Sequence, residues 1–283
     1  MTYTLSIIGC GTMGQAILSG ILSQLDSSPA DLPTRYILTV GRDSSIPALR
    51  DSFPAGKPIT YLHGDEGNLQ AIKESDIVLL ACKPYMAQSI LAAQGVKEAL
   101  DGKVLASVLA GVTMEQLQTW APGSHVVRTM TNTPSKIGHG MTLITPIPST
   151  APPSTTTRLQ AIFRTCGLVR FLPEQKFNAA TALAGSGPAF VAVMVDALAD
   201  GGVLMGLTRQ EATEMAAQTM SGTARMILDT PLHPSLLKDG VTTPGGCTIA
   251  GLMRMEDGNV RSTLARTVQA ATLHAAGLGQ EKK

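Results

Sequence analysis

Thr4-Leu5-Ser6-Ile7-Ile8-Gly9-Cys10-Gly11-Thr12-Met13-Gly14 is the stretch that decides the fold class. A short apolar run ends in G-x-G-x-x-G, and Ile17, Ile21 and Leu22 then recur at helical spacing. Strand, glycine turn and helix in that order form the setting in which a dinucleotide pyrophosphate is bound. Gly9 makes the tight turn, Gly11 lets the pyrophosphate approach the backbone, and Gly14 lets helix and strand pack closely. The helix N-terminus favours the phosphate charge.

Beyond this stretch the same alternation continues. Tyr36–Val40, Ile59–Leu62, Asp76–Ala81, Val104–Val108, His125–Met130 and Leu168–Leu172 read as further strands with helical segments between them, the pattern of a parallel sheet covered on both faces. Asp76–Ala81 is nearly all apolar, as a central parallel strand is. Pro146–Thr157 reads as a surface loop before a helix at 157–164. From Asn178 onward the periodicity is helical. Gly185-Ser186-Gly187-Pro188-Ala189 opens a helix reaching about Met205, and four more follow, at 209–228, 234–238, 248–256 and 260–276. The fold class is therefore α/β: an N-terminal Rossmann-type parallel-sheet domain over residues 1–173, then an all-α domain over 174–283.

Composition narrows the function classes. With 44% hydrophobic and 15% charged residues the chain is a folded protein with extensive buried or interfacial surface, and oligomerisation is expected. A formal net charge of +1, without basic runs interleaved with aromatics, argues against nucleic acid and anionic membranes as partners. Cys10, Cys82, Cys166 and Cys247 are widely separated and have no histidine at ligand spacing, so neither a disulfide framework nor a metal site is indicated, and a cytoplasmic location fits. Strand-like sequence from about Tyr3 leaves no room for a leader peptide. The longest apolar segment, Ala189–Leu207, is interrupted by Asp196, Asp200 and several glycines and reads as a buried helix rather than a bilayer span.

The residues after the second strand bear on cofactor choice. An acid there would accept the ribose hydroxyls of NAD, but this chain has Gly41-Arg42-Asp43. Gly41 leaves space and Arg42 offers a guanidinium fork to a 2′-phosphate, so NADP(H) is preferred and NAD(H) remains possible. Asp76–Ala81 ends in Cys82-Lys83-Pro84, where Pro84 can start a helix and Lys83 falls at a strand's carboxyl end, the ligand-facing edge of such a sheet. Leu109-Ala110-Gly111 supplies small residues where a nicotinamide ring can lie against backbone, and Thr113 caps the next helix.

In the helical half, Val241-Thr242-Thr243-Pro244-Gly245-Gly246-Cys247-Thr248-Ile249-Ala250-Gly251-Leu252 allows two readings. Pro244, Gly245 and Gly246 can build a turn whose backbone N–H groups converge on a carboxylate, or the glycines can end one helix while Thr248 caps the next.

The motifs, taken in order, resemble the pyrroline-5-carboxylate reductase family over nearly the whole chain. They are the glycine fingerprint, Ala81-Cys82-Lys83-Pro84, Ala110-Gly111-Val112-Thr113, Arg128-Thr129-Met130-Thr131-Asn132-Thr133-Pro134, Gly185-Ser186-Gly187-Pro188-Ala189 and Thr243-Pro244-Gly245-Gly246-Cys247-Thr248. The resemblance implies NAD(P)H-dependent reduction of the C=N bond of Δ1-pyrroline-5-carboxylate to L-proline, the last step of proline biosynthesis. It further implies a Rossmann domain followed by a helical dimerisation domain in a homodimer or larger homo-oligomer. Carried onto this sequence, cofactor contacts fall on Gly9, Cys10, Gly11, Thr12, Met13, Gly14, Arg42, Asn68, Ala81, Cys82, Lys83, Pro84 and Ala110. Substrate contacts fall on Glu174, Gly245, Gly246, Cys247 and Thr248, with Thr248 orienting the ring nitrogen as the catalytic residue. The chain departs from the family pattern at Thr131 for Pro, Thr243 for Ser and Gly240 for a polar residue such as Asn.

Two other readings compete. A β-hydroxyacid-dehydrogenase-like oxidoreductase needs a general base, usually a lysine on the first long helix of the second domain, and Phe190–Met205 contains none. A non-catalytic NADPH-sensing regulator would bind the cofactor without turnover.

Overall fold

The computed structural model describes residues 2–25 and 31–277. It forms two compact units, one running to Gly185 and taking in the chain from Thr272, the other spanning Ser186–Ala271.

The first unit is built from β1 (Thr4–Ile8), α1 (Thr12–Gln24), β2 (Arg35–Val40), α2 (Ile46–Asp51), β3 (Ile59–His63), α3 (Gly64–Lys73), β4 (Ile77–Leu80), α4 (Ala87–Ala92), α5 (Val96–Leu100), β5 (Val104–Ser107), α6 (Met114–Trp120), β6 (His125–Met130), β7 (Gly140–Ile144), α7 (Thr155–Arg164) and β8 (Gly167–Phe171). The eight strands of the described residues form one sheet in the order β3-β2-β1-β4-β5-β6-β7-β8. All pairs are parallel except β6 with β7. The order reverses beside β1, so the carboxyl ends of β1 and β4 flank the crevice where ligands of open α/β sheets bind. Separate apolar clusters cover the two faces, one around Ile7, Leu38, Ile17 and Phe163, the other around Ile8, Ile37, Val78 and Leu105. Consecutive residues Ile7 and Ile8 point to opposite clusters, the period of two that a strand imposes.

The sequence pattern predicts no strand between Asn132 and the loop at Pro146, yet β7 lies there. The 3-10 turn Thr133–Ile137 and Gly138, at φ 73°, reverse the chain so that Thr129 pairs with Ile144. Gly140 lies where a Cβ would overlap the Ser135 side chain, so the strand begins at a position only glycine can fill. The helix expected from Thr157 starts two residues earlier, at Thr155.

After the 3-10 turn Glu174–Lys176, α8 (Phe177–Ala180) and the π-helical turn Thr181–Gly185 complete this unit's main run of chain. The helical unit follows with α9 (Gly187–Leu204), α10 (Arg209–Asp229), α11 (Pro234–Gly240), α12 (Cys247–Asp257) and α13 (Val260–Gly277), whose last residues belong to the first unit. α9 and α10 form a close antiparallel hairpin: a Cβ on Gly202 would lie 2.9 Å from the Cβ of Ala212. Thr208 starts α10 with a full capping box to Glu211. Arg209 reaches back to Asp200 at 2.6 Å and Asp196 at 3.9 Å, pairing both acids of the apolar helix.

The expectation that Ala189–Leu207 is a buried helix is corrected by the structure. Only Ala199 of α9 is buried, while Val193, Leu204 and Met205 are exposed. The helical stretch Glu174–Leu204 is also long and apolar enough, by length and composition, to cross a membrane, with a mean hydropathy of 1.6 and 11% burial in its most apolar window. Isolated acids do not lower the average over such a window below that level once Val, Ala, Leu and Met fill the turns between them.

Candidate functional site

Gly9 adopts φ 74°, and a Cβ there would sit 2.6 Å from the Cα of Cys82. This is the tight turn between β1 and α1, pressed against the end of β4. The turn is tied to β2: the N–H of Gly9 donates to Thr39 Oγ1 (3.1 Å) and that of Cys10 to the Thr39 carbonyl (2.7 Å). At Gly11 a Cβ would meet nothing closer than 4.0 Å, which is the open space a phosphate needs. At Gly14 it would lie 2.9 Å from Ile7 Cγ2, so the glycine permits helix–strand contact. The Gln15 N–H donates to the Gly11 carbonyl, and Gly11 carries no side-chain cap, so the N–H groups of Thr12, Met13 and Gly14 lie ahead of the helical ladder. A dinucleotide's phosphates fit this end of α1 in both shape and charge.

The other expected cofactor residues gather at the same edge of the sheet. Arg42 is exposed beyond β2, where Asp43 lies 3.7 Å from His63 at the end of β3. Ala81, Cys82, Lys83 and Pro84 follow β4, with Lys83 exposed, and Ala110 is exposed beyond β5. Asn68, on α3, is 8% exposed and has no side-chain hydrogen bond to the described residues. A buried amide left open in this way is suited to a ligand. Burial pushes the Cys10 thiol up to about 12 and the Cys82 thiol up to about 11, so both stay protonated and serve as packing rather than as nucleophiles.

Glu174 has partners within the sheet unit. Its Oε1 accepts from the Met114 N–H (2.7 Å) and from Arg128 Nη1 (3.1 Å). Arg128 rises from β6 with its side chain 7% exposed, and its guanidinium lies 5.1 Å from the Phe177 ring centroid. One carboxylate thus holds the start of α6, which follows Ala110–Thr113, to the next strand. Arg128 carries a signal in the sequence, a charge inside the apolar run 125–130, but its partner lies 46 residues on. Asn132 acts similarly, donating to the Ala184 carbonyl and accepting from the Met141 N–H, both at 2.9 Å. Glu174→Gln keeps an acceptor but removes the charge facing a buried guanidinium. It is expected to cost about 1–2 kcal/mol, discounted because the carboxylate is about a third exposed, and to appear as a lower urea midpoint at unchanged slope.

Gly245, Gly246, Cys247 and Thr248 lie in the helical unit. Gly245 takes φ 66°, the Gly246 N–H donates to the Thr243 carbonyl (3.1 Å), and a Cβ on Gly246 would overlap Thr243 Oγ1. The N-cap of α12 is Gly246 and not Thr248 as expected, because the helix begins at Cys247. Thr248 therefore sits in the first helical turn, half-buried, and its hydroxyl has no hydrogen bond to the described residues. Gly246 supplies no side-chain cap, so the N–H groups at the start of α12 remain available. The turn and the helix start are both present, with the hydroxyl free for a ligand instead of serving the cap.

Comparison with known proteins matches residues 174–278 to the family described as pyrroline-5-carboxylate reductase dimerisation, and residues 4–111 to that described as NADP oxidoreductase, coenzyme F420-dependent. A pyrroline-5-carboxylate reductase of Lophium arboricola is 45% identical, covering 98% of this chain and 93% of that protein. Its counterpart in Schizosaccharomyces pombe is 40% identical over 97% and 98%. Among solved structures, a pyrroline-5-carboxylate reductase from Coxiella burnetii superposes with a TM-score of 0.86 at 28% identity, covering 99% and 100%. One from Plasmodium falciparum with NADP bound gives 0.81 at 25%, covering 98% of each chain.

Proposed function

This chain belongs to the pyrroline-5-carboxylate reductase family, and from that premise we propose which of its residues carry each part of the reduction of Δ1-pyrroline-5-carboxylate to L-proline. The chain is an NAD(P)H-dependent oxidoreductase acting on a CH–NH bond. When bound, the reduced nicotinamide supplies a hydride to the imine carbon. The residues Gly9–Gly14, Arg42, Asn68, Ala81–Pro84 and Ala110 hold that cofactor; the open approach at Gly11 and the unpartnered Asn68 amide support the assignment.

The observation that carries the substrate reading is the uncapped start of α12. Its N–H groups, with the turn at Gly245 and Gly246, take the substrate carboxylate, and the Thr248 hydroxyl hydrogen-bonds the ring nitrogen. A threonine hydroxyl is too weak an acid to protonate the imine near neutrality. The iminium takes its proton from water before reduction, and Thr248 orients and stabilises it. Glu174 is assigned to positioning the segment that begins α6 rather than to touching substrate. Addition of pyrroline-5-carboxylate to enzyme and NADPH should lower the nicotinamide absorbance and yield L-proline; a flat trace with tightly bound NADPH would leave a sensing role instead.

Arg42→Ala is expected to lower the preference for NADPH over NADH by about 10-fold, the loss of one charge-assisted contact, with kcat for NADH unchanged. Steady-state kinetics with both cofactors measures it, and an unaltered ratio removes Arg42 from the 2′-phosphate site.

The exposed side chains of α9 and α10 are those of a homodimer interface that a second copy covers. The apolar stretch 174–204 is assigned to that role instead of to a bilayer. Size-exclusion chromatography with light scattering should return at least twice the monomer mass. The four free cysteines, two of them buried, suit a reducing compartment, and the cytoplasm is the proposed location.

A further inference from the structure

Among the described residues, two buried polar side chains have no hydrogen-bond partner: Asn68 at 8% exposure and Thr155 at 1%. Asn68 lies on α3, the helix that leaves the carboxyl end of β3. Thr155, the first residue of α7, lines a cavity of about 330 Å³ at the opposite edge, where β4 and β5 begin at Ile77 and Val104. No fully occluded side-chain polar atom of the described residues lacks a partner, so the Thr155 hydroxyl is not sealed in protein; it opens on the cavity it lines.

Two fixed cations share that cavity. The Arg158 guanidinium lies over the Tyr3 ring, 4.3 Å from its centroid, and has no carboxylate partner among the described residues. Stacking engages the flat face of a guanidinium and leaves its in-plane N–H donors free. Lys103 donates from Nζ to the Ile72 carbonyl (2.6 Å) and the Lys73 carbonyl (2.7 Å), which leaves one ammonium N–H. Burial holds its basicity below that of an ordinary lysine, so a nearby negative charge would stabilise its protonated form. Of the two acids of the wall, Glu74 is paired with a cation, and the charge of Asp76 already offsets part of the effect of burial on Lys103. Glu74 binds Arg35 at 2.5 Å and Gln70 at 2.9 Å, and Asp76 Oδ2 accepts the Thr4 N–H at 2.8 Å. With Lys73 included, three cations face two acids.

We propose that this cavity is a second binding site, separate from the dinucleotide edge, for a tetrahedral oxyanion of the phosphate class. Its ligands are the Thr155 hydroxyl, the in-plane donors of Arg158 and the remaining N–H of Lys103. Preorganised donors of this kind bind an oxyanion without ordering flexible side chains, and the N-terminal end of α7 adds a favourable dipole.

The test is calorimetric titration of inorganic phosphate into the enzyme saturated with NADPH, so that the cofactor's own phosphate positions are filled, with chloride at equal ionic strength as the control. One saturable site per chain is expected. Thr155→Val and Arg158→Lys should each weaken it by about 5-fold or more, the loss of one contact, while the Kd for NADPH stays the same and reports an intact sheet. Glycerol phosphate in a parallel arm distinguishes the source: competition marks the phosphoryl group of an organic ligand, and no competition marks the free ion. Absence of saturable heat, or both variants binding phosphate as the parent does, means an adventitious ion only and overturns the proposal.

Discussion

Thr248→Ala is expected to lower kcat/KM for pyrroline-5-carboxylate by about 10- to 1,000-fold, or 1.4–4 kcal/mol of transition-state stabilisation, without lowering stability. The absence of a folding cost follows from the hydrogen bonds. Thr230 and Thr242 donate their hydroxyls to the carbonyl four residues back, at 2.7 Å each, whereas Thr248 has no such bond and does not serve as the N-cap. Removing its hydroxyl therefore takes nothing from the helix. Thr248→Ser restores the donor and should recover most of the lost rate, while the Kd for NADPH stays level in both variants because the dinucleotide residues lie in the other unit. Steady-state kinetics with thermal unfolding reads all three. An alanine variant with the parent's kcat/KM would remove Thr248 from the reaction.

Gly9→Ala has the other large expected effect, and it acts on both the fold and the cofactor. A side chain at φ 74° costs about 1–2 kcal/mol, and the added carbon would lie 2.6 Å from the backbone Cα of Cys82 and 2.9 Å from its nitrogen. Those are main-chain atoms, so the segment just after β4 must shift, which adds about 1–3 kcal/mol of overpacking strain. The sum, about 2–5 kcal/mol, should appear as a markedly lower urea midpoint together with NADPH affinity reduced by more than about 10-fold, because the same shift opens the phosphate turn. Gly11→Ala supplies the contrast. Gly11 has φ −87° and no neighbour within 4 Å other than its own turn, so alanine leaves stability nearly unchanged and weakens only the cofactor. If Gly9→Ala unfolds at the parent's midpoint, the close approach of the turn to Cys82 is not a constraint on this protein.

The features legible in the sequence are local ones. The strand at 77–80 declares itself within four residues, because a chain buried on both faces is apolar throughout. Thr113 declares itself as a cap because Gln116 stands three residues on, and the capping box is present in full. The glycines at 9, 11 and 14 carry their spacing in the sequence, and each meets the surroundings that its place in the turn requires.

The features that the sequence hides depend on distant partners. Gly140–Ile144 is a strand because a turn folds it back on β6, and nothing in its five residues names that partner. The family resemblance places Glu174 on the substrate side, yet its carboxylate meets a guanidinium 46 residues earlier and a backbone N–H 60 residues earlier. Thr248 has the residue type of a cap, but Gly246 ends the turn first.

Composition and periodicity thus settle most of the segments that become strands or helices, β7 excepted, since each such choice rests on interactions within a few residues along the chain. Which side chains meet, which hydroxyls at 155 and 248 are left free, and which apolar helix stays uncovered depend on contacts closed over long loops. Such contacts gain their energy only once the whole sheet or helical unit has formed, so they leave no periodic trace in the sequence.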